Sequence, residues 1–174
     1  MNWEFVHKYW PLYEKAAVLT VRIGLLGIVT ALIIGVIVAF IRYRKIPILN
    51  KLATIYIEIS RNTPLLVQLF FIYYGLPKIG INLTSEVCGV AGIAFLGGSY
   101  MSESIRSGLE AVDKIHSDNA YCLGFTNRQA FTYIVLPQAL STSIPALIAN
   151  VIFLLKEIFR HFFSFLTRVF KYIY

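Results

Sequence analysis

The chain has 174 residues, of which 57% are hydrophobic and 14% charged, against about 25% charged in an ordinary soluble domain. Its mean hydropathy is +0.68, and the apolar residues gather in long runs that so short a chain cannot hide from water, so the solvent is lipid. The net charge of +7 does not mark a nucleic-acid binder: Lys and Arg stand at the ends of apolar runs, where a membrane protein keeps its cytoplasmic cations, and not on one basic face.

Residues 1–15 mix Glu4, Lys8, Glu14 and Lys15 with aromatics, and no small-residue cleavage site follows, so no signal peptide is expected. The first span covers residues 16–41, ample for a bilayer that takes about 20 helical residues to cross. Arg22 lies near its start and can snorkel to the interface. Arg42, Arg44 and Lys45 follow at once, which makes the next loop cytoplasmic and puts the N-terminus on the opposite side.

A second span covers residues 49–76, with Glu58 and Arg61 in its first half, an apolar, aromatic second half, and a kink expected at Pro64. Glu58 and Arg61 stand three residues apart on one helix face and can pair, with Gln68 further along the same face. Either these charges face a bundle interior or a water-filled pathway, or the span begins at Thr63 and both lie at the cytoplasmic interface.

The third span, residues 86–102, is rich in glycine, alanine and serine and is expected to pack inside a bundle. A polar loop over residues 103–137 opens with Tyr100, Glu103 and Arg106 close by, readable as a pathway set or as a solvated helix end. The fourth span, residues 138–155, contains Pro145. The basic, aromatic stretch 157–174 would then lie outside, against the positive-inside rule.

No nucleotide-binding loop, HExxH, CxxC or GxSxG motif occurs, and His7, His116 and His161 have no metal-ligand spacing. Cys88 and Cys122 read as free thiols. Neither an enzyme nor a metal centre is expected.

Two motifs carry a resemblance. Glu58-Ile-Ser-Arg61-Asn-Thr63-Pro64-Leu-Leu-Val-Gln68-Leu, running on to Tyr74-Gly75-Leu76-Pro77, resembles the signature of histidine/glutamine-type ABC permeases. Asp118-Asn119-Ala120-Tyr-Cys-Leu-Gly124, then nine residues and Ile134-Val-Leu136-Pro137, is similar to the importer loop motif, with Asp118 for Glu and Asn119 for Ala. The resemblance covers residues 16–156 and implies an all-α, polytopic transmembrane helical bundle of the type I ABC importer kind, with residues 1–156 as the transmembrane domain.

It further implies a multi-pass subunit of the bacterial inner membrane that carries a polar amino acid. Its partners would be a cytoplasmic ATPase, a second copy or sister permease, and an extracytoplasmic solute-binding protein, with ATP held by the partner and no cofactor on this chain. Pathway or gating candidates are Glu58, Arg61, Gln68, Glu103 and Arg106; coupling candidates are Asp118, Asn119, Ala120, Gly124 and Pro137. Beyond Lys156 the resemblance stops, and the remainder reads either as a frame-shifted tail that has lost a terminal span or as a native segment lying on the membrane. The rival functional reading is a truncated, non-transporting membrane scaffold.

Overall fold

The computed structural model describes the backbone of residues 3–173 and the side chains of residues 10, 11 and 13–160. The side chains of His7 and His161, and of Arg168 and Lys171 in the basic, aromatic stretch 157–174, lie outside the described residues. Every regular element among the described residues is helical.

Helix α1 runs over Trp3–Tyr43; at about 1.5 Å per residue it is long enough to cross a bilayer with turns to spare. Lys45, at φ 53°, turns the chain, and Pro47 opens helix α2, Pro47–Asn62, at a position where its missing N–H costs nothing. The expected kink at Pro64 is a full break. Thr63 is extended at φ −111°, ψ 126° and Pro64 at φ −58°, ψ 141°, because the proline ring clashes with a helical residue before it. Helix α3, Leu65–Phe70, starts afresh, followed by a π turn over Phe71–Gly75 and a 3-10 turn over Leu76–Ile79.

The third span is longer than expected. Helix α4 runs over Ser85–Glu110, opened by the Thr84 side chain accepting from the Val87 N–H, so Glu103 and Arg106 belong to a helix and not to a loop. The rest of the polar stretch folds into α5 (Lys114–Cys122), α6 (Asn127–Ala130) and a second π turn, Phe131–Val135, that leads into α7, Leu136–Ile173. Each π turn ends two residues before a proline, Pro77 and Pro137. A proline ring collides with the carbonyl four residues back, here inside the π turn in both cases, and the wider turn makes room for it. Helix α7 is continuous across Lys156.

The core is a three-helix packing of α1, α4 and α7. Close approaches of Gly27 to Ile93, Ala31 to Gly97 and Gly35 to Met101 show α1 and α4 lying parallel. Gly97 against Leu154 and Gly108 against Ser143 show α7 antiparallel to α4. Small residues permit this: a Cβ on Gly27 would sit 2.7 Å from Ile93, and one on Gly35 2.7 Å from the Met101 Cβ. Ala31, Ile93, Met101, Leu154 and Ile158 form the buried centre. The opposite large side chains of α1, among them Val29, Ile33, Ile37 and Phe40, face outward.

Candidate functional site

At Thr63–Pro64, between α2 and α3, the backbone loses its helical partners. Around it lies a cavity of about 280 Å³, lined by Arg61, Thr63, Tyr100, Glu157 and Arg160 among others. The Arg61 guanidinium sits 4.9 Å above the Tyr100 ring, and Tyr100 leans on Phe153 with ring centroids 5.3 Å apart. Glu157 pairs with Arg160 at 3.0 Å. Cations, a carboxylate and an aromatic face thus converge on one space. Arg61 and Glu58 do not pair; Glu58 is exposed on α2, with no ion pair among the described residues.

Gln68 does different work. Pro64 has no N–H to give the Ser60 carbonyl, its partner in an unbroken helix. The buried Gln68 Nε2 donates to that carbonyl at 2.9 Å and to the Thr63 carbonyl at 2.9 Å, while its Oε1 is buried with no partner among the described residues. The same stretch is fastened to α4: Tyr56 Oη donates to the Phe95 carbonyl at 2.7 Å, and Ser60 Oγ donates to that carbonyl at 2.9 Å with Ser99 Oγ 3.0 Å away.

Glu103 and Arg106 lie apart from the Arg61 cavity. Glu103 bridges Arg42 of α1 and Arg106, the latter at 2.9 Å, and Arg106 reaches on to Glu110 at 2.5 Å. Arg42, read from the sequence as a loop cation, is the α1 end of this chain, its side chain 19% exposed, and its Nε has no partner among the described residues. The side chain of Asn150, also missed, ties α7 to α4 by donating to the Tyr100 carbonyl at 3.2 Å and Ser104 Oγ at 2.8 Å. An amide inside an apolar run was the available signal for Asn150; nothing local marked Arg42.

The importer-like loop is a capped helix. Asp113 accepts from the Ile115 N–H at 3.0 Å to start α5. At its end the Phe125 N–H reaches the Ala120 carbonyl at 3.1 Å and the Gly124 N–H the Tyr121 carbonyl at 3.0 Å, the paired bonds of a Schellman ending. Gly124 stands at φ 83°, where a side chain is strained. Ala120 is buried, whereas Asp118, Asn119 and Leu123 are exposed. Pro137 is exposed in the first turn of α7. Leu109, Val135 and Ala139, with Tyr43 and Phe131 against them, seat this loop on the ends of the long helices. Cys88 and Cys122 are free.

A broken helix beside a charged cavity, in a bundle held by small-residue seams, defines the class: an all-helical bundle built as a membrane protein is. Comparison with known proteins gives the family. Residues 31–161 match the model of the binding-protein-dependent transport system inner membrane component, and the chain belongs to that family. It is 36% identical over 160 residues to the probable amino-acid permease protein YxeN of Bacillus subtilis (strain 168), covering 90% of this chain and 71% of that one. It is 34% identical over 138 residues to the probable glutamine ABC transporter permease protein GlnP of the same organism, covering 79% and 63%. Against the L-cystine transport system permease protein TcyL, also from that strain, identity is 39% over 146 residues, covering 79% and 61%. The chain thus spans roughly two thirds of these relatives' length. The crystal structure of an amino acid ABC transporter with histidines contains a chain that superposes with a TM-score of 0.79 at 34% identity, covering 91% of this chain and 74% of that one.

Proposed function

We propose that this chain is a multi-pass subunit of the bacterial inner membrane that forms the translocation pathway of an ATP-driven importer for a polar amino acid. The observation that carries this reading is the Thr63–Pro64 break beside the cavity holding Arg61, Tyr100 and Glu157. Ionisable groups inside a membrane bundle are expensive and mark a path for a polar solute, and discontinuous helices are where such sites form. An amino acid is a zwitterion. Its carboxylate suits the Arg61 guanidinium, and its ammonium suits Glu157 and the Tyr100 face. The names of the relatives support an amino acid as cargo.

The chain works with a second permease copy or a sister permease, a cytoplasmic ATPase and an extracytoplasmic solute-binding protein. ATP is bound by the ATPase, so its energy arrives through contact. The exposed α5 surface at Asp118, Asn119 and Leu123 offers that contact, and α5 packs on the second π turn, whose Phe131 and Val135 join the ends of α1, α4 and α7. Movement of α5 would shift those helix ends and change which side of the bundle the break opens to.

The test is uptake of labelled glutamine, histidine and cystine into vesicles bearing the reconstituted complex, with ATP hydrolysis followed in parallel. Uptake that depends on ATP supports the reading. A complex that assembles yet neither transports nor shows substrate-stimulated hydrolysis would establish the scaffold instead. Gly124→Arg should abolish transport and stimulated hydrolysis while leaving membrane insertion intact; normal transport in that variant removes the coupling role.

A further inference from the structure

A second polar cavity, of about 610 Å³, opens where the end of α1 meets α5 and the start of the second π turn, and its lining includes Phe40, Arg44, Tyr121, Arg128 and Phe131. It contributes nothing to the Arg61 cavity or to the exposed tip of α5. It is lined by two arginines and no acidic residue, and neither Arg44 nor Arg128 meets a carboxylate among the described residues. The Arg44 guanidinium lies 5.1 Å from the Phe40 ring centre, and Phe40 meets Phe131 edge-on at 6.3 Å, so the cation is held against an aromatic wall. From Phe40 the exposed side chains Ile37, Ile33 and Val29 descend along one side of α1 at helical spacing.

We propose that this cavity binds the headgroup of an anionic phospholipid, its phosphate between Arg44 and Arg128 and an acyl chain along Ile37, Ile33 and Val29. The charge arrangement asks for an anion. The apolar track selects a lipid over the ATPase: a soluble partner has nothing to lay along a helix face at bilayer depth, whereas a lipid has both parts in the required order. The bound lipid fills the space between α1 and α5 and so steadies the base on which α5 rests.

The test uses the full chain purified in detergent, with native mass spectrometry after exchange into phosphatidylglycerol or phosphatidylcholine. One phosphatidylglycerol should persist per chain in preference to phosphatidylcholine. The double substitution Arg44→Gln, Arg128→Gln should weaken that preference on the order of thirtyfold, while Lys51→Gln with Lys78→Gln, the same loss of charge elsewhere, should leave it. Equal loss in both pairs would reduce the effect to net charge and overturn the site. Displacement of the lipid by millimolar inorganic phosphate would make it a phosphate site and equally overturn the proposal. If the double variant does not fold, wild-type protein decides: phosphatidylglycerol with a diazirine on its acyl chain should label the peptide containing Ile33, Ile37 and Phe40. Labelling confined to other peptides refutes the assignment. Loss of lipid preference only when the ATPase is added would identify the cavity as its docking surface instead.

Discussion

Gln68 donates from its side chain to the carbonyl of Ser60, 2.9 Å away, the one carbonyl that Pro64 leaves without its helical donor. The break between α2 and α3 is therefore a stabilised feature, closed by a side chain four residues past the proline.

Gln68→Leu removes both bonds and strands two carbonyls, so it should lower stability by about 1–3 kcal/mol. Pro64→Ala restores an N–H to the Ser60 carbonyl and should recover part of that loss. The double variant should melt above the Gln68→Leu single variant in detergent, with a coupling of about 1 kcal/mol or more. Additive effects would mean that the two residues act separately.

A kink at Pro64 was legible in the sequence; that it is a full break, with Thr63 extended before the ring, was not. The small residues of α4 also announced close packing. The site was less legible because its partners are remote. Arg42 and Glu103 are 61 residues apart, and Asn150 reaches Ser104 across 46. Three-residue spacing along one helix suggested Glu58 with Arg61. The aromatic ring of Tyr100, on another helix, took the cation instead.

The Arg42–Glu103–Arg106 chain carries two cations around one shared carboxylate, all less than a quarter exposed. Glu103→Leu leaves Arg42 without a carboxylate beside Arg106, which keeps only Glu110, whereas Arg42→Leu leaves Glu103 still bound to Arg106. Glu103→Leu should therefore be the more damaging, by about 1–2 kcal/mol, in thermal melting of the detergent-solubilised chain. The reverse order would show that the Arg106–Glu110 pair suffices without Glu103.

Gly35 touches the backbone of α4, with a built Cβ 3.2 Å from the Ser102 nitrogen as well as 2.7 Å from Met101. Backbone cannot yield as a flexible side chain can, so Gly35→Ala should cost about 1–3 kcal/mol. Val36→Ala, one residue on and facing outward, should change stability by about 0.5 kcal/mol or less. Melting curves of the two variants separate close helix contact from a general effect of altering α1.

Gly124 separates strain from bulk. Among the described residues nothing lies within 4 Å of a Cβ built there, yet its φ is 83°. Gly124→Ala should thus fail through backbone strain of about 1 kcal/mol, loosening the Gly124 and Phe125 N–H bonds that end α5. Gly124→Asn, whose side chain tolerates that conformation, should keep them. Hydrogen exchange at these two amides reads the difference directly: faster in Gly124→Ala, near wild type in Gly124→Asn. If stimulated ATP hydrolysis follows the same order, coupling depends on the shape of the helix end. If both variants lose hydrolysis while Gly124→Asn keeps its protected amides, the open space over Gly124 is itself where the partner sits.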